Sequence, residues 1–69
     1  MTNHERAAAR LALHLESLKR ANTWLIEVAA GRRRGEYDAK QWDLAVGDVR
    51  ECVDTIEAEL AELRRSLEA

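Results

Sequence analysis

The chain has 69 residues, with eleven Lys/Arg against thirteen Asp/Glu, one cysteine and no proline, which bounds it to one domain at most. A net charge of -2 is the wrong balance for a dedicated nucleic-acid binder, and the lone Cys52 excludes a disulfide framework within the chain. The start is polar and charged, and the apolar stretches are broken by charges within a few residues, so neither a signal peptide nor a membrane span is expected and the chain reads as cytoplasmic.

Thr2, followed three residues later by Glu5, offers a capping box that would open a first helix at about residue 3. Along it Leu11, Leu15, Leu18, Asn22, Leu25 and Ala29 follow a 4-3-4-3-4 spacing, the signature of one apolar seam on a long helix. Two glycines, Gly31 and Gly35, compete to end that helix in a left-handed residue. Gly35 is preferred, because Arg32, Arg33 and Arg34 then occupy the last turn, where positive charge complements the helix dipole. The first helix is expected over 3–34.

Asp38 and Gln41 repeat the capping arrangement and predict a second helix from 39 to 67. Tyr37 and Trp42 flank that cap at the positions of a hydrophobic staple. From Trp42 the seam runs on through Val46, Val49, Val53, Ile56, Leu60, Leu63 and Leu67 without a break. With only a short Gly/Arg-rich connection, the two seams can meet only as an antiparallel hairpin. The expected fold is therefore all-α: one helical coiled-coil hairpin forming a single domain over 1–69. Two helices cover each other along one strip only, so a partner or a second copy is expected to complete it.

Heptad letters sharpen the expectation. With Leu15, Asn22, Val46, Val53, Leu60 and Leu67 at a, and Leu11, Leu18, Leu25, Trp42, Val49, Ile56 and Leu63 at d, a pairs with d in layers such as Leu25–Val46, Leu18–Val53 and Leu15–Ile56. The e edge is mostly charged and suggests Glu5–Arg64 and Lys19–Glu57 pairs. The g edge is small and apolar toward the loop, and Ala21, Val28, Ala45 and Cys52 predict a partner-facing strip there, with Trp24 as an anchor near its loop end. Self-association into a four-helix bundle is the alternative use of that strip.

Signals for catalysis are poor. His4 and His14 lie on different helix faces and no Cys/His pair has metal-ligand spacing, so no metal, cofactor or enzymatic site is expected. The Gly31–Gly35 stretch lacks the lysine and Ser/Thr of a phosphate loop. Its arginines are the one feature favouring nucleic acid, as in a homodimeric, Rop-like RNA-binding bundle, although no basic face interleaved with aromatics accompanies them. Charge is nevertheless uneven: residues 37–69 carry four Lys/Arg against nine Asp/Glu, whereas residues 31–36 carry three arginines against Glu36.

The length, the Met1-Thr2 start, the Arg-Gly turn at mid-chain and the segment Asp38-Ala39-Lys40-Gln41-Trp42 resemble the small co-chaperones of type III secretion needle subunits, the YscE-like family. The resemblance implies a cytoplasmic, non-enzymatic protein that binds a TPR-like chaperone. Together the pair would hold a needle-forming subunit as a soluble monomer until export, with a homodimer available to the free protein.

Overall fold

The computed structural model describes residues 2–68; Met1 and Ala69, the ends of the expected domain and of the Met1-Thr2 match, lie outside them. Helix α1 spans Asn3–Arg33 and helix α2 spans Ala39–Glu68. They pack antiparallel along their whole length as an all-α hairpin, with no strand among the described residues, in a rod of 52 × 16 × 11 Å.

Local chemistry sets both ends of α1 and the start of α2. Thr2 is extended, and its Oγ1 accepts the backbone N–H of Glu5 at 3.2 Å. At the start of α2 the box is closed in both directions: the Gln41 N–H donates to Asp38 Oδ1 at 2.9 Å, and the Asp38 N–H donates to Gln41 Oε1 at 3.0 Å. Helix α1 ends where the arginine argument places it. Gly35 has φ of +78°, its N–H donates to the Arg32 carbonyl at 3.0 Å, and the Glu36 N–H reaches back to the Gly31 carbonyl at 2.8 Å. That pair of bonds is a Schellman motif, which satisfies carbonyls the helix end would otherwise leave open.

The loop is then pinned by side chains. The Arg34 guanidinium donates to both carboxylate oxygens of Glu36, at 2.7 and 3.0 Å. The Tyr37 ring packs edge-on to Trp24, with centroids 5.7 Å apart, and lies over Gly31, where any Cβ would collide with it. Gly31 is thus the landing place of Tyr37, while Gly35 turns the chain. The aromatic partner of Tyr37 is Trp24 on α1, where the spacing had suggested a staple to Trp42.

The contact between the helices differs from the expected seam in one respect that changes the protein's surface. The residues withdrawn from solvent on α2 are Trp42, Ala45, Val49, Cys52, Ile56, Glu59, Leu63 and Ser66; on α1 they include Ala7, Leu11, His14, Leu18, Ala21, Leu25 and Val28. These are the d and g positions. The a positions Leu15, Val46, Val53, Leu60 and Leu67 are exposed, so the a-to-d layers, Leu25–Val46, Leu18–Val53 and Leu15–Ile56 among them, are corrected to a d/g contact. Each heptad holds three apolar or small positions, and a two-helix contact uses two of them. The small side chains at g, chiefly alanines with Cys52 and Ser66, let the backbones approach, so d and g close and the larger a residues stay outside.

Candidate functional site: an apolar face and a polar groove

A seam through d and g gives the rod two unlike faces. In an antiparallel pair the a positions of both helices point to the same side, because reversing one helix also reverses the sense in which its positions run around the axis. That side carries Leu15 and Ile26 from α1 and Val46, Val53, Leu60 and Leu67 from α2, all exposed. Ile26 is 62% and Leu15 49% accessible. Scattered single leucines need no explanation, but six large exposed aliphatic residues, five at a and Ile26 at the neighbouring e, share one side of the rod, a concentration of the kind found at protein interfaces.

The opposite side is polar. His14, Ser17, Glu51, Cys52 and Thr55 line a shallow groove between the helices. Toward the free ends, the Arg10 Nε–H donates to both oxygens of Glu59, at 3.1 and 3.2 Å, and His14 Nε2 lies 3.5 Å from the same carboxylate. Ser66 Oγ and His4 Nδ1 are 2.8 Å apart. These links cross between the helices and fix their register. They also explain how a seam can contain His14, Glu59 and Ser66: each polar group finds its partner on the other helix. Sequence reasoning gave the two histidines no metal or catalytic role and did not foresee Glu59 as the partner of His14 or Ser66 as that of His4, although one signal was present in a lone acidic residue at g, among small ones, on the helix facing His14.

Glu59 is held below the usual carboxylate range, first by the hydrogen bond from Arg10 and secondly by His14, against the opposing effect of its partial burial. A carboxyl group depressed in the folded state contributes stability that is complete above the unfolded value and is lost as pH falls through the folded one. Titration followed by NMR should find the Glu59 side chain ionising below the usual carboxylate range. Arg10→Gln should move it back up; an unchanged Glu59 titration in that variant would show that the crossing pair does not persist in solution. Glu36 is lowered in the same direction by its hydrogen bond from Arg34.

The g strip expected to meet a partner lies inside the hairpin. Val28 and Ala45 have no accessible surface at all, and Ala21 and Cys52 are half-buried, because these are the residues on which the two helices close. Trp24 remains accessible near the loop, edge-on to Tyr37, and its heptad position puts it on the groove side, away from the aliphatic patch. The charged e edges point outward from a d/g seam and do not meet: in place of Glu5–Arg64 and Lys19–Glu57, Arg64 pairs along its own helix with Glu68 at 3.2 Å. No group of His, Cys, Asp or Glu among the described residues is arranged to hold a metal ion, and no helix is long and apolar enough to cross a membrane. Comparison with protein-family models, with curated proteins and with solved structures returns no match to this chain.

Proposed function

We propose that this hairpin is a non-enzymatic docking module whose aliphatic face, made of Leu15, Ile26, Val46, Val53 and Leu60, binds a helical protein. The observation that carries the reading is the exposure of the large a residues, with Ile26 at the neighbouring e position, alongside a closed d/g seam. An amphipathic helix or a concave helical repeat laid on that row would bury branched side chains at helical spacing. The resemblance of the chain to needle-subunit co-chaperones supplies the partner class: a cytoplasmic TPR-like chaperone, with which this protein would keep a polymerising needle subunit soluble before export. A needle subunit assembles through apolar helical surfaces, so its storage requires helical partners that offer such surfaces in return. The RNA-binding alternative is weakened at the loop, where Glu36 engages Arg34 with two hydrogen bonds and so offsets one of the three arginines.

The test is affinity capture of the intact chain from bacteria that build a type III secretion apparatus, with bound proteins identified by mass spectrometry. A TPR-like chaperone and a needle-type subunit are expected with wild type and with Leu13→Glu, whose site lies on the outer surface. Both should be lost with Ile26→Glu, which places a charge on the aliphatic face while leaving the seam intact. Capture that is indifferent to Ile26→Glu would move the partner to another face, and salt-sensitive recovery of RNA in place of protein would reverse the reading.

A further inference from the structure

The seam changes character along the rod. The contact of His14 with Glu59 sets the register of the g positions. It puts Ala7 at the level of Ser66, with which it lines one small cleft, Ala21 at the level of Cys52, and Val28 at the level of Ala45. The d layers fall between them, with Leu11 level with Leu63, Leu18 with Ile56 and Leu25 with Val49. Toward the loop every layer is small or apolar, and Val28, Gly31 and Ala45 are buried there. Toward the free ends the g layers turn polar, His14 with Glu59 and Ala7 with Ser66, and leave Leu11–Leu63 as the apolar layer between them. The side-chain links from helix to helix among the described residues, Arg10–Glu59, His14–Glu59 and His4–Ser66, all lie in that half.

The two halves therefore close on different terms. Opening an apolar layer returns covered hydrocarbon to water with nothing to compensate. Opening a polar layer costs little, because water replaces each lost partner, and links as open to solvent as Arg10–Glu59 contribute weakly. The loop half is also tied by the chain itself, through the Schellman motif and through Tyr37 lying against Trp24 and Gly31. At the free end the corresponding device is the Thr2 cap, which holds α1 to itself and not to α2.

We propose that the free-end half is a gate. Residues 3–16 of α1 and 57–68 of α2 part and unwind together, while the half from the Leu18–Ile56 layer to the loop stays closed. Unwinding accompanies parting because isolated helices shorter than about 12–15 residues are marginal in water. Opening exposes Leu11 and Leu63 beside Leu15, Leu60 and Leu67, since residues three and four apart are neighbours on a helix surface. The aliphatic row thereby widens, at one end of the rod, into a leucine-lined cleft that receives a partner's amphipathic helix as the two segments re-form around it. That use of the gate rests on the docking reading above; the opening itself does not.

Amide hydrogen exchange of the purified full chain, followed residue by residue by NMR, tests the gate with no partner present. The amides of Ala12, Leu13, Leu60 and Leu63 should open about tenfold more often than those of Leu25, Ala45 and Val46, or more. The first four should share one opening constant and one dependence on low urea, the mark of a cooperative unit spanning both helices. Two variants then separate the halves. Leu11→Ala should speed exchange in both by the same factor, because complete unfolding includes opening the gate. Val28→Ala should speed it in the loop half and leave the free half unchanged, because the gate opens without disturbing Val28; if that variant does not fold, Val49→Ala takes its place. Equal protection in the two halves of wild type overturns the proposal. So does an equal effect of Val28→Ala or Val49→Ala on both halves, or protection that decays along each helix with different constants for α1 and α2, which would be independent fraying.

Discussion

Ala45→Arg is expected to destroy the hairpin, while Val46→Arg, one residue further on, leaves its helicity in place. Ala45 has no accessible surface and lies in the seam between α1 and α2, whereas Val46 is 39% exposed on the aliphatic face. At position 45 the new side chain must force the helices apart, which costs about 1–3 kcal/mol in a packed interior, and it also carries a charge with no partner into the seam. Stabilities of native domains start at about 5 kcal/mol, and a core in which Ala7, Val28 and Ala45 are the buried hydrophobic residues leaves little reserve. Far-UV circular dichroism should show most of the helix signal lost in Ala45→Arg at low micromolar concentration. The Val46 variant should keep the signal and lose association only. The opposite pattern, a folded Ala45 variant beside an unfolded Val46 variant, would restore a seam through a and d.

That contrast marks where the sequence is legible and where it stops being so. Both caps, the loop glycine in the left-handed region and the antiparallel pairing follow from short-range rules, because each depends on residues within one turn of one another: Thr2 with Glu5, Asp38 with Gln41, Gly35 behind Arg32 to Arg34. The choice between a and g as the second row of the seam is of another kind. Hydrophobicity ranks Leu15, Val46 and Val53 above Ala7, Ala21 and Ala45, and so points to a. Helix approach rewards small volume and points to g. A periodicity argument weighs the first quantity and not the second. The same omission hid the part played by His14 and Glu59, which enter the seam only once g is known to be inside it. It also reversed the candidate binding surface: the strip of small residues suited to receive a helix does receive one, and that helix is the other half of the same chain. Tyr37 shows the effect at the loop. Its neighbours in sequence suggest Trp42, yet the packing that decides is that of α1, where Gly31 leaves a bare stretch of backbone beside Trp24.

Ile56→Ala and Leu15→Ala, equivalent under an a/d seam, are expected to separate, and the way they separate depends on protein concentration. Ile56 is a d residue withdrawn between the helices. Its truncation should cost about 2 kcal/mol, the lower end of the range for large-to-small core changes because the site is only half-buried. The loss belongs to the hairpin itself and should be found at every concentration. Leu15 is 49% exposed, so in the dilute monomer its truncation should change stability by no more than about 0.5 kcal/mol, as for other surface substitutions. When the chain is concentrated, stability gains the mass-action contribution of association, and Leu15→Ala then loses part of that gain. Thermal melts recorded across a hundredfold range of concentration would separate the two. Ile56→Ala should give a curve displaced downward by a constant amount, and Leu15→Ala one that matches wild type at the dilute end and falls progressively below it. Parallel displacement in both variants would mean that Leu15 supports the hairpin directly, and the aliphatic face would then be part of the fold and not the surface through which this protein meets others.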